Sequence, residues 1–269
     1  MSTSVSNTLL ITRQGAVETW TLNDPATRNA LSDAIVDGLL QACTRAAQDS
    51  SLRIVVLTGA GGAFCAGGSL GGFASLIGQP LQEGETDPLL AMNRGFGDLL
   101  HALSALPQLL VCRVDGAAMG GGFGLVCCAD HVVATARSVL GTPEVTLGLP
   151  PAQIAPFVWQ RLGESTARQC LLQGLSYTAA QALDIGLVHE VIEQDTDEVW
   201  QATLQRLLRA APGAVASTKQ LLRNLRGPVP DMRDAAAQAF ASGLRSVEAA
   251  QGLAAFARKQ PAPWTLSDK

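Results

Sequence analysis

Two glycine-rich stretches carry the residues best suited to chemistry. One is Asp115-Gly-Ala-Ala-Met-Gly-Gly-Gly-Phe-Gly-Leu125, with Gly120, Gly121 and Gly122 in a row. The apolar run 109–114 before it reads as a buried strand, and the small-residue run 123–129 after it reads as a buried helix. Glycines at such a turn tolerate positive φ and let a ligand come close to the backbone. The helix start leaves amide N–H groups without intrahelical partners, and its dipole favours negative charge. The other stretch, from Ile54 to Ser69, repeats this grammar: a β-branched run, a glycine loop, then a segment starting near Ala66. Two such loops facing one oxygen hold an oxyanion by backbone donors alone. A tight turn packed against another backbone uses the same glycines, and that reading stays open on these residues.

The elements that must position the loops follow from periodicity. Strands are expected at 8–12 and 17–22, joined at Gln14-Gly15, and then at 53–58, 109–114 and 130–135. Ser32-Asp33 caps a helix running to about Gln48, and Leu89 to Leu106 forms an amphipathic helix closed by Pro107. Gly71 to Pro88 reads as a mobile surface segment. Alternating strands and helices predict an α/β layer structure with parallel pairing. After Glu144 the pattern turns helical: 151–161, 163–173, 178–185, 196–210, 212–226 and 231–258, with one short strand at 188–192. The long run 231–258 suits a pair of helices at a subunit interface.

The chain has 269 residues, 47% of them apolar and 16% charged, enough for one large core. A net charge of −4 without a basic stripe argues against nucleic-acid binding. Residues 1–8 lack an apolar signal core and no run reaches membrane-spanning length, so a cytoplasmic protein without a membrane partner is expected. Six cysteines show neither paired nor zinc spacing and are expected as buried free thiols, with no metal. Cys65 adjoins the first loop, where packing and a nucleophilic thiolate compete.

Four stretches in this order resemble the enoyl-CoA hydratase/isomerase family, whose fold is the crotonase fold of stacked ββα units with a helical C-terminal region. They are Leu22-Asn-Asp-Pro-Ala-Thr-Arg-Asn-Ala-Leu31, Gly62-Ala-Phe-Cys-Ala-Gly-Gly-Ser69, Asp115 to Gly124, and Thr142-Pro-Glu-Val-Thr-Leu-Gly-Leu149. The tail Glu248 to Lys259 fits the family as well. The resemblance implies a core domain over 1–195 and a trimerisation region over 196–269, assembled as homotrimers or hexamers. It assigns the oxyanion hole for an acyl-CoA thioester to the N–H groups of Ala66 and Gly121. It assigns CoA contacts to Arg28, Asn29 and Ala30, to Ala66, Gly67, Gly68, Ser69 and Leu70, and to Phe256 and Lys259. CoA enters as part of the substrate, and no separate cofactor is implied.

The family's hydratases usually carry two glutamates. At the first position this chain has Gly124; the second matches Glu144, which is left as the acid/base that activates water for C3 and returns a proton at C2. A capping role on a polar surface is the competing assignment for Glu144. Asp130, His101, His131 and His189 are the remaining candidates to replace the lost acid. Ser69 replaces the family's aspartate after Ala-Gly-x. The stretch Leu149-Pro-Pro-Ala-Gln-Ile-Ala-Pro-Phe-Val158 resembles the branch of methylglutaconyl-CoA and isohexenylglutaconyl-CoA hydratases, and favours the second, an enzyme of acyclic terpene degradation. An isomerase, dehalogenase or hydrolase on the same fold, or a CoA-thioester binder without chemistry, are the rival readings. Nucleotide binding fits poorly, because neither loop gives G-x-G-x-x-G or a P-loop lysine.

Overall fold

The computed structural model describes residues 8–69, 71–82, 84–193, 197–225 and 231–265. Strands β1 (Leu9–Gln14) and β2 (Val17–Leu22) form the expected hairpin, turned at Gly15 with φ of 60°. The strands that follow are β3 (Ile54–Gly59), β4 (Leu109–Val114), β5 (Ala117–Met119), β6 (His131–Thr135), β7 (Val139–Gly141), β8 (Ser176–Thr178) and β9 (Glu190–Ile192). The main sheet has the order β1-β2-β3-β4-β6-β9 and is parallel from β2 onward. A second sheet, β5-β7-β8, lies outside it. Its three-residue strands are too short to show an alternation, which is why periodicity misses them.

The helices are α1 (Asp33–Ala47), α2 (Pro88–Ala105), α3 (Gly121–Cys127), α4 (Ala155–Gln173), α5 (Ala179–Asp184), α6 (Asp197–Leu207), α7 (Pro212–Leu225), α8 (Arg233–Leu244) and α9 (Val247–Ala257). The two helices expected over 151–173 are one element bent at Gly163, whose φ is 72°. The run 231–258 is a pair, because the Ser246 hydroxyl accepts the Ala249 N–H and starts a new helix. Among the described residues no helix is long and apolar enough to cross a membrane.

Strand alternation divides the burial between two faces of the sheet. Val55 and Leu57 join Trp20, Leu110 and Cys112 in the main core with α1, α2 and α3. Ile54 and Val56 point the other way, onto Trp200 and Leu204 of α6. Both faces are therefore covered, as parallel sheets require. A third cluster joins Leu89 of α2 to Ala241 and Leu244 of α8 and Ala249 of α9. Leu76 and Ile77 pack against that cluster, and Gly78 N–H donates to the Leu244 carbonyl. The segment after Gly71 is thus tied down here, against the expectation of a mobile excursion.

The start of α2 is held by one buried carboxylate. Asp87 caps the helix by accepting the Leu89 N–H at 3.0 Å and takes two hydrogen bonds from Arg245, each 2.8 Å long. Both side chains are almost fully buried, and the guanidinium holds the Asp87 carboxyl below the usual carboxylate range. Removing one partner of such a pair strands the other charge, so Asp87→Ala is expected to cost about 3–5 kcal/mol in urea unfolding. Asp87→Ala combined with Arg245→Met should cost less than the sum of the two single changes.

Candidate active site

The loop from Gly59 to Ser69 is shaped by Asn29. Its side-chain N–H groups donate to the carbonyls of Ala60 and Ala63, and its carbonyl accepts the Asp24 N–H at 2.8 Å. Asn29 is fully buried and holds φ of 59°, which asparagine tolerates better than most residues. Its polar atoms are spent on the loop, so its assignment to CoA is corrected: it shapes the site and offers no side-chain contact to a ligand.

The backbone bonds of this loop decide where a free donor lies. Ala66 N–H donates to the Arg28 carbonyl at 3.0 Å. Leu31 N–H donates to Gly67 O, and Ser69 N–H to Leu31 O, forming a short parallel bridge. Gly67 N–H faces the Cys65 sulfur. Gly68, centred in the bridge, keeps its N–H without a partner among the described residues and lines the cavity. The expected donor Ala66 is thereby corrected to Gly68: the Leu31 carbonyl takes the Ser69 N–H, the Cys65 sulfur faces the Gly67 N–H, and the Arg28 carbonyl takes the Ala66 N–H.

The second loop turns into a helix at the three glycines, as the sequence predicts. Gly121 opens α3, has no backbone partner for its N–H, and lines the same cavity. Gly67, at φ of 98°, lets the two loops meet: a Cβ there would lie 2.9 Å from Met119 O and 3.7 Å from Gly121 N. β5 laces the loops together. Phe64 and Cys65 N–H groups donate to Ala117 O, Met119 N–H donates to Cys65 O, and Gly120 N–H donates to Gly141 O at the end of β7.

β7 leads into the 3-10 turn Pro143–Leu147, which carries Glu144. The Glu144 carboxylate sits beside Gly120, where a Cβ would be 2.9 Å from Oε1. Oε2 is shut off from solvent and has no hydrogen-bond partner. Burial pushes this carboxyl up to about 7, opposed only by the residue's own backbone N–H. Glu144 therefore faces a cavity and is no surface cap.

The cavity measures about 540 Å³ and is walled largely by apolar side chains from α1, α2, α8 and the segment 147–154 that leads into α4. Its polar lining comprises Asp33, Asp37, Ser69, Asn93, Glu144 and Gln153; among the described lining residues there is no lysine, arginine or histidine. The place of a second glutamate is filled. A Cβ on Gly124 would come within 2.3 Å of Ile154 Cγ2.

The other expected residues lie elsewhere. Arg28 is exposed at the end of the 3-10 turn Pro25–Thr27, and Ala30 follows on the same rim. Neither lines the cavity, whereas Gly67 and Ser69 do. Leu70 is outside the described residues. Phe256 and Lys259, at and beyond the end of α9, are exposed and away from the lining. Asp130 is paired with Lys219, His131 stacks on His189, and His101 packs edge-on against Phe157, so none reaches the cavity. Cys65 is fully buried and its thiol is pushed up to about 12, which rules out the nucleophilic thiolate. All six cysteines are buried and free, as expected.

Sequence reasoning missed Asn93 and Gln153. For Asn93 a signal existed: it interrupts the apolar stripe Leu89, Phe96, Leu100, Leu103 of α2.

A family model described as enoyl-CoA hydratase/isomerase matches residues 12–267. The chain is 35% identical over 217 residues to the 2,3-dehydroadipyl-CoA hydratase of Escherichia coli K12, covering 80% of this chain and 81% of that protein. Among solved structures it is similar to Pseudomonas aeruginosa AtuE, with 40% identity, a TM-score of 0.75, and coverage of 96% and 100%. It is also similar to an enoyl-CoA hydratase/isomerase from Marinobacter aquaeolei, with 38% identity, a TM-score of 0.77, and coverage of 96% and 98%.

Two outcomes follow from the packing. Gly124→Ala overfills the site and is expected to cost about 1–3 kcal/mol by urea unfolding. Combined with Ile154→Ala, which removes the Cγ2 that the added Cβ would meet, it should cost less than the two changes separately. Glu144→Gln should stabilise the fold at pH 8 by up to about 3 kcal/mol, the price of a carboxylate whose folded value is raised from 4.5 to about 7. That gain shrinks as pH falls through 7 and vanishes below 4.5, because the folded carboxyl is then protonated like the unfolded one.

Proposed function

This chain belongs to the enoyl-CoA hydratase/isomerase family and is a hydro-lyase of the enoyl-CoA hydratase type, and we propose that it hydrates a branched, carboxylated enoyl-CoA, isohexenylglutaconyl-CoA. One observation carries the reading: a buried carboxyl poised near neutrality, Glu144, faces a cavity that also receives the free N–H groups of Gly68 and Gly121. The thioester oxygen accepts both N–H groups. Glu144 takes a proton from water as the oxygen adds to C3, and the π electrons move onto the thioester oxygen. The enolate then collapses and Glu144 returns the proton to C2. A value near 7 suits a group that must act as base and then as acid. Each backbone donor is worth roughly 3 kcal/mol in the transition state, by analogy with other oxyanion holes.

The apolar cavity supports a branched acyl tail. A substrate carboxylate takes over part of the electrostatic work of the carboxylate absent at Gly124. 3-Methylglutaconyl-CoA is the alternative substrate. The CoA moiety leaves the cavity along Gly67, Gly68 and Ser69 toward the rim at Arg28 and Ala30. In this reading Phe256 and Lys259 meet the CoA of a neighbouring subunit, and residues 196–269 form the contacts of a homotrimer or hexamer. Leu221, Leu222, Leu225, Val247 and Phe256 support it, each more than half exposed in the single chain. Sedimentation equilibrium checks it. Free buried cysteines support a cytoplasmic location.

The test compares hydration of isohexenylglutaconyl-CoA, 3-methylglutaconyl-CoA and crotonyl-CoA by the wild type and by Glu144→Gln. The first substrate should have the highest kcat/KM, and the substitution should lower it by about 10²–10⁴-fold. Wild-type kcat/KM should fall as pH drops through about 7, where the base becomes protonated. Equal turnover of crotonyl-CoA would sink the carboxylated substrate, and activity surviving in Glu144→Gln would sink the base.

A further inference from the structure

We propose that Asn93 is the second group that holds the attacking water, in place of the carboxylate whose position Ile154 occupies; the inference rests on the hydratase reading above. Asn93 is 6% exposed and lines the cavity, and its Oδ1 is buried with no hydrogen-bond partner. An unpaired buried polar atom is unfavourable, so the cavity lacks a donor that its occupant supplies. Gln153, the other amide on the wall, already donates to the Arg233 carbonyl.

The position follows from helix geometry. A Cβ on Gly121 would lie 3.2 Å from the Phe96 ring, and one on Gly124 would lie 3.7 Å from Leu100. The contacts advance together along α2 and α3, so the two helices run in the same direction. Asn93, one turn before Phe96 on the same face, therefore lies toward the open N-terminal end of α3, where the Gly121 N–H waits for the thioester oxygen. Across Gly120 stands Glu144, whose Oε2 is also unpaired.

Two unpaired acceptors lining one cavity call for a ligand with two donors, and water is the smallest. One O–H goes to Glu144 and is the bond that breaks. The other goes to Asn93 and stays intact in the C3 hydroxyl of the product. Asn93 takes no proton; it orients the oxygen lone pair toward C3.

The role predicts a split between two reactions. Hydration needs the water, whereas exchange of the C2 proton of butyryl-CoA with D2O needs only Glu144 and the oxyanion donors. Asn93→Leu should lower kcat for hydration by about 100-fold with KM within about threefold, while C2 exchange followed by NMR persists. Asn93→Asp keeps an acceptor of the same shape and should retain hydration within about tenfold of wild type, which also covers a leucine variant that fails to fold. Parallel loss of hydration and exchange in both variants would overturn the inference in favour of a structural role. So would wild-type hydration by Asn93→Leu. Loss confined to carboxylated substrates, with crotonyl-CoA still hydrated, would overturn it in favour of Asn93 reading the acyl carboxylate. A wild type inert toward all three thioesters would overturn the hydratase reading and this inference with it.

Discussion

The site depends on a strand of three residues. β5, Ala117–Met119, hydrogen-bonds to Cys65 of the first glycine loop on one side and pairs with β7 on the other. Each partner leads straight into a functional group: Cys65 into Gly68, β5 into Gly121, and β7 into Glu144. Backbone pairing joins these three segments, and the Asn29 side chain shapes the first loop that takes part. Backbone pairing is directional and short-ranged, so it sets the two donor loops and the turn that carries Glu144 around one cavity. The absence of a side chain at Gly67 and Gly120 then permits the approach, since a Cβ at either would press on the opposite loop or on Glu144.

Electrostatics follow from that placement. Glu144 has no cation beside it among the described cavity residues, and burial alone raises its affinity for a proton. A charged partner would have lowered that affinity and produced an inert structural carboxylate, as Arg245 does for Asp87. The two buried acids thus show opposite behaviour from one cause: whether a counter-charge accompanies the carboxyl out of water. The gap at Gly124 adds a steric rule. Ile154, just before α4, fills it, so no carboxylate stands there and Glu144 faces the cavity alongside the amides of Asn93 and Gln153.

Much of the architecture was legible in order of sequence. The strands 17–22 and 109–114 were read at their observed bounds, and α1, α2 and the helices after Glu144 within a few residues. These elements carry strong periodic burial, and period is what a sequence displays. β5, β7 and β8 were not legible, being too short for any period and stabilised by partners distant in the chain. The segment after Gly71 was read as mobile from its glycines, yet Leu76 and Ile77 find a core that includes α8.

By itself, the amino-acid sequence determined the family, the two glycine loops, the loss of one glutamate at Gly124 and the survival of the other at Glu144. These are properties of residue type and spacing. Only the tertiary structure decided which amides are free. Ala66 and Gly68 are two residues apart and both suit an oxyanion hole on composition, but Arg28 and Leu31 arrive from an earlier loop and consume the N–H groups of Ala66 and Ser69, leaving that of Gly68. In the same way Asn93 reads as a flaw in an apolar stripe until α3 and the Glu144 turn are set against it. Hydrogen-bond accounts close in three dimensions, so a free donor or a lone acceptor is a property of the fold.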